Sequence, residues 1–155
     1  MKITVRASGL IKSGPERALI DDYLSRAKHL SRNLGITDIS VSAIDTRGAK
    51  SRADETRAIL SGYDNARIIA LDERGKALTS RQISRHISRW RDDGDRHIVF
   101  VIGGADGFEP SELPANVTLW SFGPQVWPHK LVRVMIMEQI YRALSILAGT
   151  PYHRD

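Results

Sequence analysis

Hydrophobic positions along the chain recur with two periods, and the periods alternate. Ile3, Val5 and Ala7 repeat at every second residue and predict a first strand. Ser13, Gly14 and Pro15 then read as a helix start, with proline early, where its missing N–H costs nothing. Leu19, Tyr23, Leu24, Ala27, Leu30 and Leu34 follow at helical spacing, and Gly35 is a natural stop. Ile39, Val41 and Ala43 predict a second strand, 45–50 an exposed loop, and Ser51-Arg52-Ala53-Asp54 a capping box opening a short helix. Two runs, 67–71 (RIIAL) and 97–102 (HIVFVI), are short, continuous and rich in β-branched residues. Such runs fit strands covered on both faces, as in a parallel sheet with helices on each side. A last strand over 117–122 precedes a long helix from about His129 to Ala148. No repeat, linker or low-complexity tract interrupts the pattern. It predicts one α/β domain over residues 1–155, a mostly parallel sheet flanked by helices.

In open α/β sheets ligands lie beyond the carboxyl ends of the strands. Three loops there carry unusual residues: 71–75 (LDERG), 103–107 (GGADG) and 123–129 (GPQVWPH). The glycine loop matches neither the dinucleotide G-x-G-x-x-G nor a P-loop, and Asp106 makes it a poor phosphate cradle. A tight turn and a ligand loop both remain open for it. Around Arg81, the residues Ile83, Ile87 and Trp90 fall on one helix face, whereas Arg81, Arg85 and Arg89 fall four apart on another. Arginine forks suit phosphate, although a solvated face explains the same spacing. The last helix is apolar nearly all round, from Leu131 through Met135, Ile136 and Ile140 to Leu147. One sheet face cannot cover every side of it, so the surplus points to a subunit interface. His129 and Arg133 share a face at its start, and Glu138 and Arg142 have the spacing of a stabilising pair.

Composition narrows the function classes. The 155 residues contain no cysteine, which excludes a disulfide scaffold, a thiolate zinc site and a cysteine nucleophile. No H-E-x-x-H and no G-x-S-x-G occurs, so neither a metal site nor a serine triad is expected. The longest uncharged stretch, 113–129, holds Pro114, Pro124 and Pro128 and is no membrane helix. The N-terminus is charged too early for a signal peptide, which leaves a cytoplasmic protein as the expectation. Net charge is +5 and unevenly placed. Residues 1–97 hold 19 basic and 13 acidic side chains, net +6, whereas 98–155 hold 4 and 5, net −1. Segregation of this kind favours a polyanionic partner.

Read together, FVIGGADGF, LWSFGPQVWPHKLVRVMIMEQIYRA and GTPYHRD, with MKITVRASG at the start and the LDERG turn, closely resemble the ribosomal RNA large subunit methyltransferase H family of the SPOUT class. The resemblance covers the whole chain. It implies a homodimer, joined through the C-terminal helix, that uses S-adenosylmethionine to methylate N3 of a pseudouridine in helix 69 of 23S rRNA. It further implies a Rossmann-like sheet whose part from roughly 70 to 155 forms a deep trefoil knot. By position, the cofactor falls to Leu71, Gly103, Gly104, Phe122, Gly123, Pro124, Gln125, Val126 and Trp127. The catalytic candidates are His129, Tyr152, His153 and Arg154, with the tail completing a site across the dimer. Arg81, Arg85, Arg89, Arg133 and Arg142 are the candidate RNA contacts, and no metal is required. One departure stands out: relatives often carry a Ser-Lys-Met-Thr-like run where this chain has Gly123-Pro124-Gln125-Val126-Trp127. The alternative is therefore a catalytically silent rRNA-binding protein that retains the fold.

Overall fold

The computed structural model describes residues 1–154. Five strands, β1 (Lys2–Ser8), β2 (Asp38–Ile44), β3 (Arg67–Ala77), β4 (His97–Ile102) and β5 (Thr118–Ser121), form one sheet in the order β2-β1-β4-β3-β5. Every pairing is parallel. The helices are α1 (Pro15–Ser31), α2 (Arg52–Leu60), α3 (Ser80–Asp92) and α4 (His129–Leu147). The expected mostly parallel, helix-flanked sheet is what the chain adopts.

Alternation along β4 shows how the two faces divide. Ile98, Phe100 and Ile102 join a large core with Ile83, Ile87 and Trp90 of α3 and Ile136, Met137 and Ile140 of α4. Val99 and Val101 point the other way, into a smaller cluster with Ile59 of α2, Ile68, Ala70 and Phe108. The run reads as continuously apolar because both faces are covered. Trp90 and Trp120 stack inside the large core at 5.5 Å, with planes 19° apart. This confirms Trp90 as core.

Local detail differs from expectation in α1 and at the start of α2. In α1 Tyr23, Leu24, Ala27 and Leu30, with Leu34 just beyond it, pack on the core as expected, but at its start the inward residue is Ile20, while Leu19 stays 45% exposed. Ser51 caps α2 by accepting from the Asp54 N–H, but no reciprocal bond closes a capping box there. The reciprocal box sits instead at α3, between Thr79 and Gln82. Finally, α1 and α3 both pack against α4. Together with the sheet they cover much of the apolar surface that one sheet face alone would leave bare, and Leu131 in the first turn remains 39% exposed.

β3 runs further than its apolar core. Its pairing with β5 shifts register: Trp120 is opposite both Leu71 and Lys76, and residues 72–75 bulge out between. That excursion lies at the carboxyl edge of the sheet, beside the loops after β4 and β5.

Candidate functional site

The three unusual loops converge on one cleft of about 400 Å³, within the roughly 300–1,000 Å³ typical of small-molecule sites. One wall is Leu71, Asp72, Glu73 and Arg74 from the β3 excursion. A second is the turn from Gly103 to Gly107 after β4. The third comes from Ser121, Phe122, Gly123, Gln125, Val126 and Trp127 after β5, with His129 and Val132 of α4. Of the nine expected cofactor residues, all but Pro124 line this cleft. Pro124 is exposed beside it.

The loops are tightly built. Gly107 donates from its N–H to the Gly104 carbonyl at 3.1 Å, and a Cβ on Gly103 would lie 3.1 Å from the Gly107 backbone. After β5, the Ser121 hydroxyl donates to the Gly123 carbonyl at 2.9 Å and accepts from the Gly123 N–H at 3.1 Å. Gly123 has φ of 107°, which a side chain would oppose. Trp127 Nε1 donates back to the Phe122 carbonyl at 3.4 Å. The departure from the Ser-Lys-Met-Thr-like run therefore sits in a turn organised by backbone and by Ser121.

Two arginines of the lining are held in ion pairs. Arg74 holds Asp72 at 2.7 Å, and that hydrogen bond keeps the carboxyl below the usual carboxylate range despite its burial. Arg52, at the start of α2, holds Glu109, two residues beyond the glycine turn, at 2.7 Å. Sequence reasoning put the 71–75 loop, with Asp72 and Arg74, at the ligand end of the sheet without giving either side chain a role, and it missed Arg52. LDERG was noted as a motif, but α2 gave no local sign that it would face the same loops.

His129 is the first residue of α4, and the helix has no side-chain cap at that end. Its ring therefore joins uncapped backbone N–H groups at the edge of the cleft, where the helix dipole favours negative charge. The tail lies elsewhere. The Tyr152 hydroxyl donates to Glu138 at 2.9 Å, and its ring lies 4.5 Å from Tyr141 and under the Arg142 guanidinium. Burial, with hydrogen bonds to Tyr23 and Glu138, pushes the Tyr152 hydroxyl well above the usual tyrosine range. His153 Nδ1 is 3.3 Å from Arg142, and Arg154 is exposed. Glu138 is about 14 Å along the helix axis from His129. Within one chain the four catalytic candidates are thus split into His129 at the cleft and the tail at a distance.

Arg81, Arg85 and Arg89 are exposed on α3, opposite its buried Ile83, Ile87 and Trp90. Arg89 pairs loosely with Asp93 at 3.4 Å. Arg142 is half-buried in a pair with Glu138. Arg133 requires a correction. It is 2% exposed and its guanidinium turns into the protein, the two terminal nitrogens donating to the carbonyls of Ser8 at 2.8 Å and Gly9 at 3.0 Å while the buried Nε has no partner among the described residues. Burial lowers its pKa. Shared helix spacing with His129 suggested an outward cation, but the carbonyls at the end of β1 take it inward. It is no RNA contact.

Comparison with known proteins follows the same lines. The family model described as predicted SPOUT methyltransferase matches residues 1–153. Proteins called ribosomal RNA large subunit methyltransferase H are similar along essentially the full length. The one from Maricaulis maris is 60% identical over all of both chains. Those from Hyphomonas neptunium and Bradyrhizobium diazoefficiens are 46% and 45% identical, each over 99% of both chains.

Proposed function

Because this chain belongs to the ribosomal RNA large subunit methyltransferase H family of SPOUT methyltransferases, we propose that its cleft binds S-adenosylmethionine and serves methylation of N3 of a pseudouridine in helix 69 of 23S rRNA. The observation that carries this reading is the convergence of eight of the nine expected cofactor residues on one cleft with His129 at its edge.

The residues present fit that cofactor. Leu71, Ile102, Phe122 and Val132 give apolar walls for a flat adenine, and the turns after β4 and β5 offer backbone N–H and C=O groups at its edges. When bound, S-adenosylmethionine supplies a methyl group already activated by its sulfonium. What this chain must add is orientation of the target base and removal of the N3 proton. In this reading His129, which lines the cleft, accepts that proton. The uncapped start of α4 favours the negative charge that its loss leaves on the imide. Arg81, Arg85 and Arg89 on α3 supply phosphate contacts that hold the RNA.

Tyr152, His153 and Arg154 complete the reading only with a second copy. Their separation from His129 within one chain supports a homodimer, joined through α4, in which the tail of one protomer reaches the cleft of its partner. The deep knot belongs to the same reading. The close crossing of Gly75 under β5 and the register shift between β3 and β5 support it.

Calorimetry of the purified protein with S-adenosylmethionine tests the cofactor. Mass spectrometry of the helix 69 fragment, before and after incubation with protein and cofactor, tests the reaction. A gain of one methyl on the pseudouridine is expected. Cofactor binding without any such gain, on free rRNA, large subunits and assembled ribosomes alike, would favour a silent binding protein. The altered run at 123–127 is the feature that speaks for that alternative.

A further inference from the structure

Glu55 is a carboxylate that neither the cleft lining nor the proposed chemistry uses. It lies in the first turn of α2, half-buried, at the point where the carboxyl ends of β1, β2 and β4 come together. The Ser8 hydroxyl at the end of β1 donates to Glu55 Oε1. The Thr46 hydroxyl just beyond β2 donates to the same oxygen at 2.9 Å. On its other side Glu55 meets the glycine turn: a Cβ built on Gly104 would lie 2.8 Å from Oε2 and 2.9 Å from Cδ, and nearer still to Oε1.

The reason for glycine at 104 follows from this contact. Gly104 does not have a positive φ, so its backbone conformation is open to other residues. The nearest obstacle to a side chain is the Glu55 carboxylate, the end of a flexible side chain, which could make room only by leaving the Ser8 and Thr46 hydroxyls that hold it. The turn from Gly104 to Gly107 thus rests its base on Glu55 and presents its other side to the cleft. Ser8 extends the support: its carbonyl accepts from Arg133, one turn after His129 in α4. The glycine turn and the start of α4 are therefore tied to the same residue of β1.

We propose that Glu55 is a positioning residue for the cofactor site: held by the Ser8 and Thr46 hydroxyls, it fixes the Gly103–Gly104 turn in the conformation that binds S-adenosylmethionine. The inference rests on the cofactor reading above. Glu55 acts through the turn, without touching the cofactor, by limiting the conformations that binding would otherwise have to select.

Cofactor affinity by calorimetry, thermal unfolding, and amide hydrogen exchange of the 103–107 turn without cofactor test it together. Glu55→Ala is expected to weaken binding by about tenfold, the order of one missing supporting hydrogen bond, and to speed exchange in the turn. Glu55→Gln keeps an acceptor for both hydroxyls and is expected to stay within about threefold of wild type. Gly104→Ala is expected to weaken binding by more than about tenfold through the clash. Combining Gly104→Ala with Glu55→Ala removes the obstacle, so the double variant should bind better than Gly104→Ala alone. Additive losses, or a Glu55→Ala protein that melts earlier with unchanged affinity and unchanged exchange in the turn, would overturn the inference while leaving the cofactor reading intact. No binding by the wild-type chain would overturn that reading, and this inference with it.

Discussion

Gly75 passes directly beneath Trp120: a Cβ at residue 75 would lie 2.6 Å from the Trp120 backbone nitrogen and carbonyl carbon. The side chain is excluded by another strand's backbone, which cannot rotate away. Gly75 closes the excursion of β3 whose preceding residues, Leu71 to Arg74, form a wall of the cleft. Gly75→Ala is therefore expected to force β3 from β5. The cost should be at least about 2 kcal/mol, which for a domain of this size lowers Tm by about 4–8 °C. Cofactor affinity should fall with it, measured by calorimetry below the melting range.

The arginines divide into two kinds that one experiment separates. Changing Arg81, Arg85 and Arg89 together to Ala should flatten the salt dependence of rRNA binding by roughly 0.7–0.9 log units for each phosphate that is no longer neutralised, with little change in Tm. Arg133→Ala should do the reverse. It leaves the Ser8 and Gly9 carbonyls without their donor in a closed site, at about 2–3 kcal/mol, and the salt slope stays the same. A slope that changes with Arg133→Ala and not with the α3 variant would reverse the assignment.

Acid should destabilise the protein through two histidines. His86 lies against Trp90 and Trp120, with Lys76, Arg89 and Arg67 nearby. Burial, and then these cations, lower its pKa below 6.5. His97 meets Thr4 and the edge of Tyr63. Burial and Lys2 lower its pKa, against an opposing Asp38. Both groups are neutral in the folded state at pH values where the unfolded chain already binds a proton. Their contribution is present above about pH 6.5 and is lost as pH falls through that value toward the folded pKa. Tm should fall between about pH 7.5 and about pH 5, above the range in which carboxylates titrate. His97→Gln should reduce that slope.

Separation of His129 from the tail makes complementation a direct test of a shared site. His129→Ala and His153→Ala homodimers should each be nearly inactive, and His153→Ala should leave cofactor affinity almost intact. After subunit exchange, half the dimers are mixed and each mixed dimer has one intact site, so activity should recover to on the order of a quarter of wild type. No recovery would place the tail's action within its own chain.

Much of the fold was legible because each strand and helix has its own period. The both-face apolar runs of β3 and β4 announced a covered parallel sheet, and the outward arginines of α3 followed from counting. Less was legible where burial depends on a distant partner. Leu19 and Ile20 are neighbours of similar hydrophobicity, and only the sheet chose Ile20. Arg133 looks like a surface cation until the end of β1 supplies carbonyls for it. Which parts of α4 are covered was not legible either, because α1 and α3 pack against it beside the sheet.

The candidate site divides in the same way. By itself the sequence determined the element order, the three loops at the carboxyl ends of the strands and, through motif resemblance, the family. Periodicity and spacing are local properties that any stretch of chain carries with it. Only the tertiary structure decided that Arg52 and Asp72 share a cleft with Gly103, that Gly104 must spare room for Glu55, and that the tail lies far from His129 in one chain. Those facts depend on distances between segments remote in sequence, and such distances exist only once the sheet has set its strand order.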